Sequence, residues 1–73
     1  MAKQLSRDTA RKRLLSMPPE QRAILLQQCG DMRHTVRHIL IEDMTPERYG
    51  KRFHCSGTAM LDMALERLSR FFD

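Results

Sequence analysis

His34 and His38 stand four positions apart, the spacing that places two imidazoles on one face of a helix. Such a pair can share a metal ion, but a zinc site needs three or four converging ligands. The remaining soft donors are Cys29, His54 and Cys55, and none falls at a spacing that completes the set. There is no Cys-x-x-Cys pair. No metal ligand and no cofactor are therefore expected, and the histidines read as solvated or half-buried side chains on a basic face. Cys55 follows His54 directly, which makes them neighbours in sequence and not a converging nucleophile and base. A chain of 73 residues has little room for a closed site and carries no Gly-rich phosphate loop, so no catalytic residue is expected.

What remains is charge. The formal net charge is +4, unevenly placed: residues 1–37 carry eight Lys/Arg against three Asp/Glu, and residues 38–73 carry five against six. The densest basic cluster is Arg11, Lys12 and Arg13, with Lys3 and Arg7 before it. A second group, Arg48, Lys51 and Arg52, lies within the otherwise slightly acidic C-terminal half. Basic clusters of this kind suit the phosphates of nucleic acid.

The elements that must carry these side chains are helices. Hydrophobic residues make up 41% of the chain, enough for one modest core and too many for a disordered tail. They are mostly Leu, Met, Ile and Ala, and no β-branched run alternates with polar residues over strand length. A single all-α domain spanning residues 1–73, with four to five helices, is expected. A chain this short buries only roughly 60% of its unfolded surface, so its stability is marginal. No apolar run reaches the length of about 18 residues that a membrane span needs, and the polar N-terminal residues do not resemble a signal peptide. A cytoplasmic protein is expected, with Cys29 and Cys55 reduced and packed as small hydrophobes.

Punctuation divides the chain into five stretches. Ser6 caps the first, residues 6–16, whose Leu5, Thr9, Ala10, Leu14 and Met17 lie near one face. Pro18-Pro19 ends it and opens the second, residues 20–29, in which Leu25, Leu26 and Cys29 share a face. Gly30 reads as the residue just past that helix and Asp31 as a cap for the third, residues 32–43. There Met32, Val36, Ile39 and Leu40 form a buried stripe. Thr45-Pro46-Glu47 reads as cap, first-turn proline and first-turn acid of a fourth helix ending near His54. Ser56 caps a terminal helix over residues 57–72. Its apolar set is too wide for one stripe, which assigns Leu61, Leu65, Leu68 and Phe72 to a homodimer or partner interface.

The segment Thr45-Pro-Glu-Arg-Tyr-Gly-Lys-Arg-Phe-His-Cys-Ser-Gly-Thr-Ala-Met-Leu-Asp-Met-Ala, residues 45–64, resembles a helix-turn-helix. The likeness is to the promoter-reading domain of sigma factors and to small plasmid and fimbrial regulators. Gly50 supplies the small residue at the helix crossing, Tyr49 and Phe53 flank it, and Cys55 plugs the turn. Ser56 caps the second helix, and Met60 and Met63 return it to the core. Residues 32–43 would be the supporting helix of the three-helix unit. Met17-Pro-Pro-Glu-Gln-Arg-Ala-Ile-Leu-Leu resembles the helix start upstream in sigma-factor domains, although the gap before Thr45 is longer here. His54 stands where such turns usually carry Gly.

The resemblance implies a small DNA-binding transcriptional regulator of bacterial, phage or plasmid type. Its partner would be double-stranded DNA, with the helix from Ser56 in the major groove. Ser56 and Thr58 would meet base edges; Arg48, Lys51 and Arg52, with Arg11, Lys12 and Arg13, would neutralise phosphates. Ser56, Gly57, Thr58, Leu61 and Asp62, the outward positions, include no Arg, Lys, Asn or Gln for bidentate base contacts. The alternative is a helical adaptor or inhibitor that docks its apolar C-terminal helix on a protein partner. Charge distribution favours the adaptor, and motif spacing favours the regulator.

Overall fold

The computed structural model describes residues 5–72, and they form an all-α domain with five helices and no strand among them. Lys3, counted above with the basic N-terminal cluster, lies outside the described residues. Helix α1 is Arg7–Ser16 and α2 is Pro19–Gln28. A 3₁₀ turn, Gly30–Met32, leads into α3, residues 33–41, which begins as the α-helical Arg33–Thr35 and continues as the π-helical Val36–Ile41. Helix α4 is Pro46–Phe53 and α5 is Gly57–Ser69.

The starts follow local chemistry. The hydroxyls of Ser6, Thr45 and Ser56 accept from the backbone N–H of Thr9 (3.2 Å), Arg48 (3.2 Å) and Ala59 (3.4 Å), each satisfying one orphan donor of a first turn. Pro19 and Pro46 occupy first-turn positions where no N–H is needed. Gly30 has φ +60°, as the residue after α2 requires. Asp31 does not cap α3; the 3₁₀ turn before it has no side-chain cap.

The helix ends are closed largely by arginines. Arg22 donates to the carbonyls of Leu14 (3.0 Å) and Met17 (3.1 Å) at the end of α1, and Arg67 to that of Cys29 (3.2 Å) after α2. Arg11 donates to the carbonyls of Leu40 (2.8 Å) and Ile41 (3.1 Å) at the end of α3. A guanidinium there satisfies orphan acceptors and opposes the negative end of the helix dipole.

The core gathers Ala10 and Leu14 of α1, Leu25 of α2, Cys29, Met32, and Val36, Ile39 and Leu40 of α3. Tyr49 of α4 and Leu61, Ala64, Leu65 and Leu68 of α5 complete it. Cys29 is fully buried, and burial pushes its thiol pKa up against the smaller opposing effect of Arg67. Thr9 is not on the core face: its side chain is exposed and its Oγ1 accepts from Ser6 Oγ at 2.8 Å.

The assignment of Leu61, Leu65, Leu68 and Phe72 to an interface is corrected by this packing. Leu68 is fully buried, Leu61 and Leu65 are buried, and Phe72 packs partly against the same core. The apolar set of α5 is wide because this helix packs against α1, α3, α4 and the 3₁₀ turn at once. Among the described residues, the large apolar side chains left exposed are Leu15, Ile24, Met63 and Phe71. No helix of the described residues is long and apolar enough to cross a membrane.

Candidate nucleic-acid interface

Helices α4 and α5 are joined by a short turn and meet backbone to backbone. A Cβ on Gly50 would lie 2.6 Å from the Cys55 carbonyl oxygen and 3.1 Å from the Gly57 nitrogen. A Cβ on Gly57 would overlap the Pro46 carbonyl outright. The pair of glycines therefore sets how closely the helices approach. His54 makes the turn in the left-handed region, φ 55°, a conformation His tolerates better than most residues. The motif is anchored to α3 through Tyr49, whose hydroxyl is 3.0 Å from both Thr35 Oγ1 and His34 Nδ1.

The face that α5 turns outward differs from the expected one. Gly57 and Leu61 are buried; Thr58, Ala59, Asp62, Met63 and Glu66 are exposed. Met60 is half-buried, but Met63 is 52% exposed and does not return to the core. Cys55 is exposed and plugs nothing, because the two glycines already close the crossing with backbone. Ser56 is exposed but its hydroxyl is occupied by the Ala59 N–H. Thr58 and Lys51 line one shallow depression with Glu47, Gly50 and Cys55.

The basic residues separate into two groups. Arg11 is committed to the α3 carbonyls and lies 3.9 Å from Asp43, whose carboxylate also accepts from Arg7 at 3.0 Å. This corrects its assignment as a phosphate contact: it holds α1 to the end of α3. Arg13 donates to the Phe72 carbonyl at 2.8 Å and stands 5.4 Å from that ring, so it fastens the chain end to α1. Lys12 is exposed. In the second group Arg48, Lys51 and Arg52 are all exposed on α4, and no described carboxylate forms an ion pair with them. Arg52 stands 5.6 Å from the Phe53 ring.

One feature of this region is not legible from residue spacing alone. His34, His38, Tyr49 and Phe53 pack as a cluster of tilted and edge-on rings, with ring centroids 4.4 Å apart for the histidines and 4.6 Å for His34 and Phe53. Beside it runs a groove lined by Ala23, Leu26 and Gln27 of α2 and by Arg33, His34, Arg37 and His38 of α3. Burial in the cluster, then repulsion from His38, Arg37 and Arg52, lowers the pKa of His34 below its ordinary value; Glu42 opposes the shift. Helical spacing aligns His34 with His38, but only the packing of α4 brings Arg52 and Tyr49 to them. Among the described residues no three His, Cys, Asp or Glu side chains converge to hold a metal ion.

No protein-family model, curated protein or solved structure matches this chain.

Proposed function

We propose that this protein is a small DNA-binding regulator that approaches the duplex with α4 and the start of α5, in the cytoplasm where the duplex lies. The observation that carries the reading is Arg48, Lys51 and Arg52, three exposed and unpaired cations on the helix leading into the Ser56-capped helix. Cations held on a rigid helix and free of carboxylate partners are suited to phosphates, which supply most of the affinity of such proteins. Thr58 lines the same depression as Lys51 and on this reading is the side chain that meets a base edge. With few donors on α5, sequence preference on this reading is modest and backbone contact dominates. Titration of a labelled duplex at low salt tests it directly, and a protein that binds no duplex there is not such a regulator.

A second reading is favoured by one observation: Asp62, Glu66 and the exposed Met63 share the outward face of α5. Carboxylates repel a phosphate backbone, while an exposed methionine adapts to protein surfaces. A helical interaction module would use that face, not Leu61, Leu65 and Leu68, and would bind no duplex.

A further inference from the structure

We propose that the groove between α2 and α3 is a second phosphate site, holding a phosphodiester of the bound duplex between Arg33, Arg37 and the His34 imidazole. The inference rests on the DNA-binding reading and extends its contact surface beyond α4. Continuity is supplied by α4: Arg52, one of its exposed cations, stands 5.6 Å from the Phe53 ring, and that ring packs edge-on against His34 at 4.6 Å. Arg33 and Arg37 are exposed on the groove wall, the Arg37 side chain to 70%. Arg37 is paired only with Glu42, at 3.5 Å on the surface, an interaction weak enough for a phosphate to displace. Guanidinium groups match phosphate oxygens with paired N–H donors.

His34 makes this site sensitive to pH. On its own helix it faces His38, Arg33, Arg37 and Glu42, with Asp31 in the preceding turn. From α4 it meets Tyr49, Arg52 and Phe53, and across the groove Gln27 of α2. With His34 neutral, Arg33, Arg37 and Arg52 stand against Asp31 and Glu42 around it, so a proton gained by His34 adds substantially to the attraction for an anion. The hydrogen bonds permit it. In neutral His34 the Nδ1 accepts from the Tyr49 hydroxyl, while Tyr49 accepts from Thr35. In the imidazolium Nδ1–H donates to Tyr49, Tyr49 donates to Thr35, and Nε2–H is left for a phosphate oxygen. Burial is the larger cause of the lowered His34 pKa and the neighbouring cations add to it; a phosphate in the groove offsets the cationic part, so binding takes up a proton from solvent. By linkage, duplex affinity then rises as pH falls, most steeply between the free and bound pKa of His34 and by at most about tenfold per pH unit.

Duplex affinity is measured against salt and against pH for the full chain, for Arg33→Gln/Arg37→Gln and for His34→Gln, which keeps a hydrogen-bonding partner for Tyr49. The imidazole proton resonances of His34 are followed in parallel. The expected results are a salt slope flatter by about 1 for the double variant, which loses one phosphate contact, a pH dependence reduced in His34→Gln, and a His34 pKa raised by duplex. If wild type binds duplex but these variants keep its slope and pH dependence, the groove proposal is overturned and the α4 reading stands. If wild type binds no duplex, both fall. If an oligoglutamate peptide shifts the His34 resonances and a duplex does not, the groove serves an acidic protein segment and the proposal is likewise overturned.

Discussion

The backbone of Gly57 rests on the carbonyl of Pro46, so that any side chain at Gly57 would occupy the space of that oxygen. The first residue of α5 is thereby locked to the first residue of α4, with Gly50 closing the other side of the contact. For Gly57→Ala, helix propensity alone favours alanine by about 1 kcal/mol. The steric conflict with backbone opposes it and is the larger effect, since overpacking costs about 1–3 kcal/mol. Gly57→Ala and Gly50→Leu are both expected to lower the melting temperature. A rise in either would show that the helices are not in contact there.

Leu65 and Leu68 are core residues, and truncation of each is expected to cost about 2–5 kcal/mol. Against a total stability of about 5 kcal/mol at the low end for small domains, Leu68→Ala should be largely unfolded in mild urea. Denaturation followed by circular dichroism, with sedimentation on the same samples, reads this out. A variant that stayed fully stable while a dimer dissociated would return these leucines to an interface.

Tyr49 satisfies Thr35, the polar side chain that is fully buried. Tyr49→Phe removes the hydroxyl and leaves Thr35 Oγ1 without that partner, at a cost of about 1–3 kcal/mol. Combining it with Thr35→Val should recover most of the loss, because both polar groups are then gone. Chemical denaturation of Tyr49→Phe, Thr35→Val and the double variant checks this, and strictly additive losses would mean the hydroxyls do not depend on each other.

The two thiols should differ in reactivity. Cys55 is exposed, whereas Cys29 is fully buried with its pKa raised by that burial. A disulfide reagent at neutral pH should modify Cys55 at once and Cys29 only on unfolding. Two equally fast thiols would contradict the burial of Cys29 in the core.

The five helices were legible because their boundaries rest on local chemistry. Ser6, Thr45 and Ser56 cap, Pro18-Pro19 interrupts, and Gly30 takes the left-handed conformation at the end of α2. The buried stripe Met32, Val36, Ile39 and Leu40 followed from helical periodicity even though Val36–Ile41 winds as a π-helix. What periodicity could not give is how many neighbours a helix has. The apolar residues of α5 looked too numerous for one face because several faces are covered, and this placed Leu61, Leu65 and Leu68 at an interface they do not form. Counting charges misled in a similar way. Arg11 and Arg13 belong to the densest basic cluster, but long-range contacts assign them to carbonyls of α3 and Phe72. Arg48, Lys51 and Arg52 form no ion pair with a described carboxylate and are exposed.

Presentation of the α4 cations to DNA can be read from a salt titration of Lys51→Gln/Arg52→Gln. Log affinity for a short duplex is plotted against log salt for wild type and variant, with melting curves to show that both remain folded. Each phosphate neutralised contributes about 0.9 to the slope. The account predicts that the variant binds every duplex more weakly and that its slope is flatter by about 2. An unchanged slope in the variant, or no binding of wild type at low salt, would contradict it.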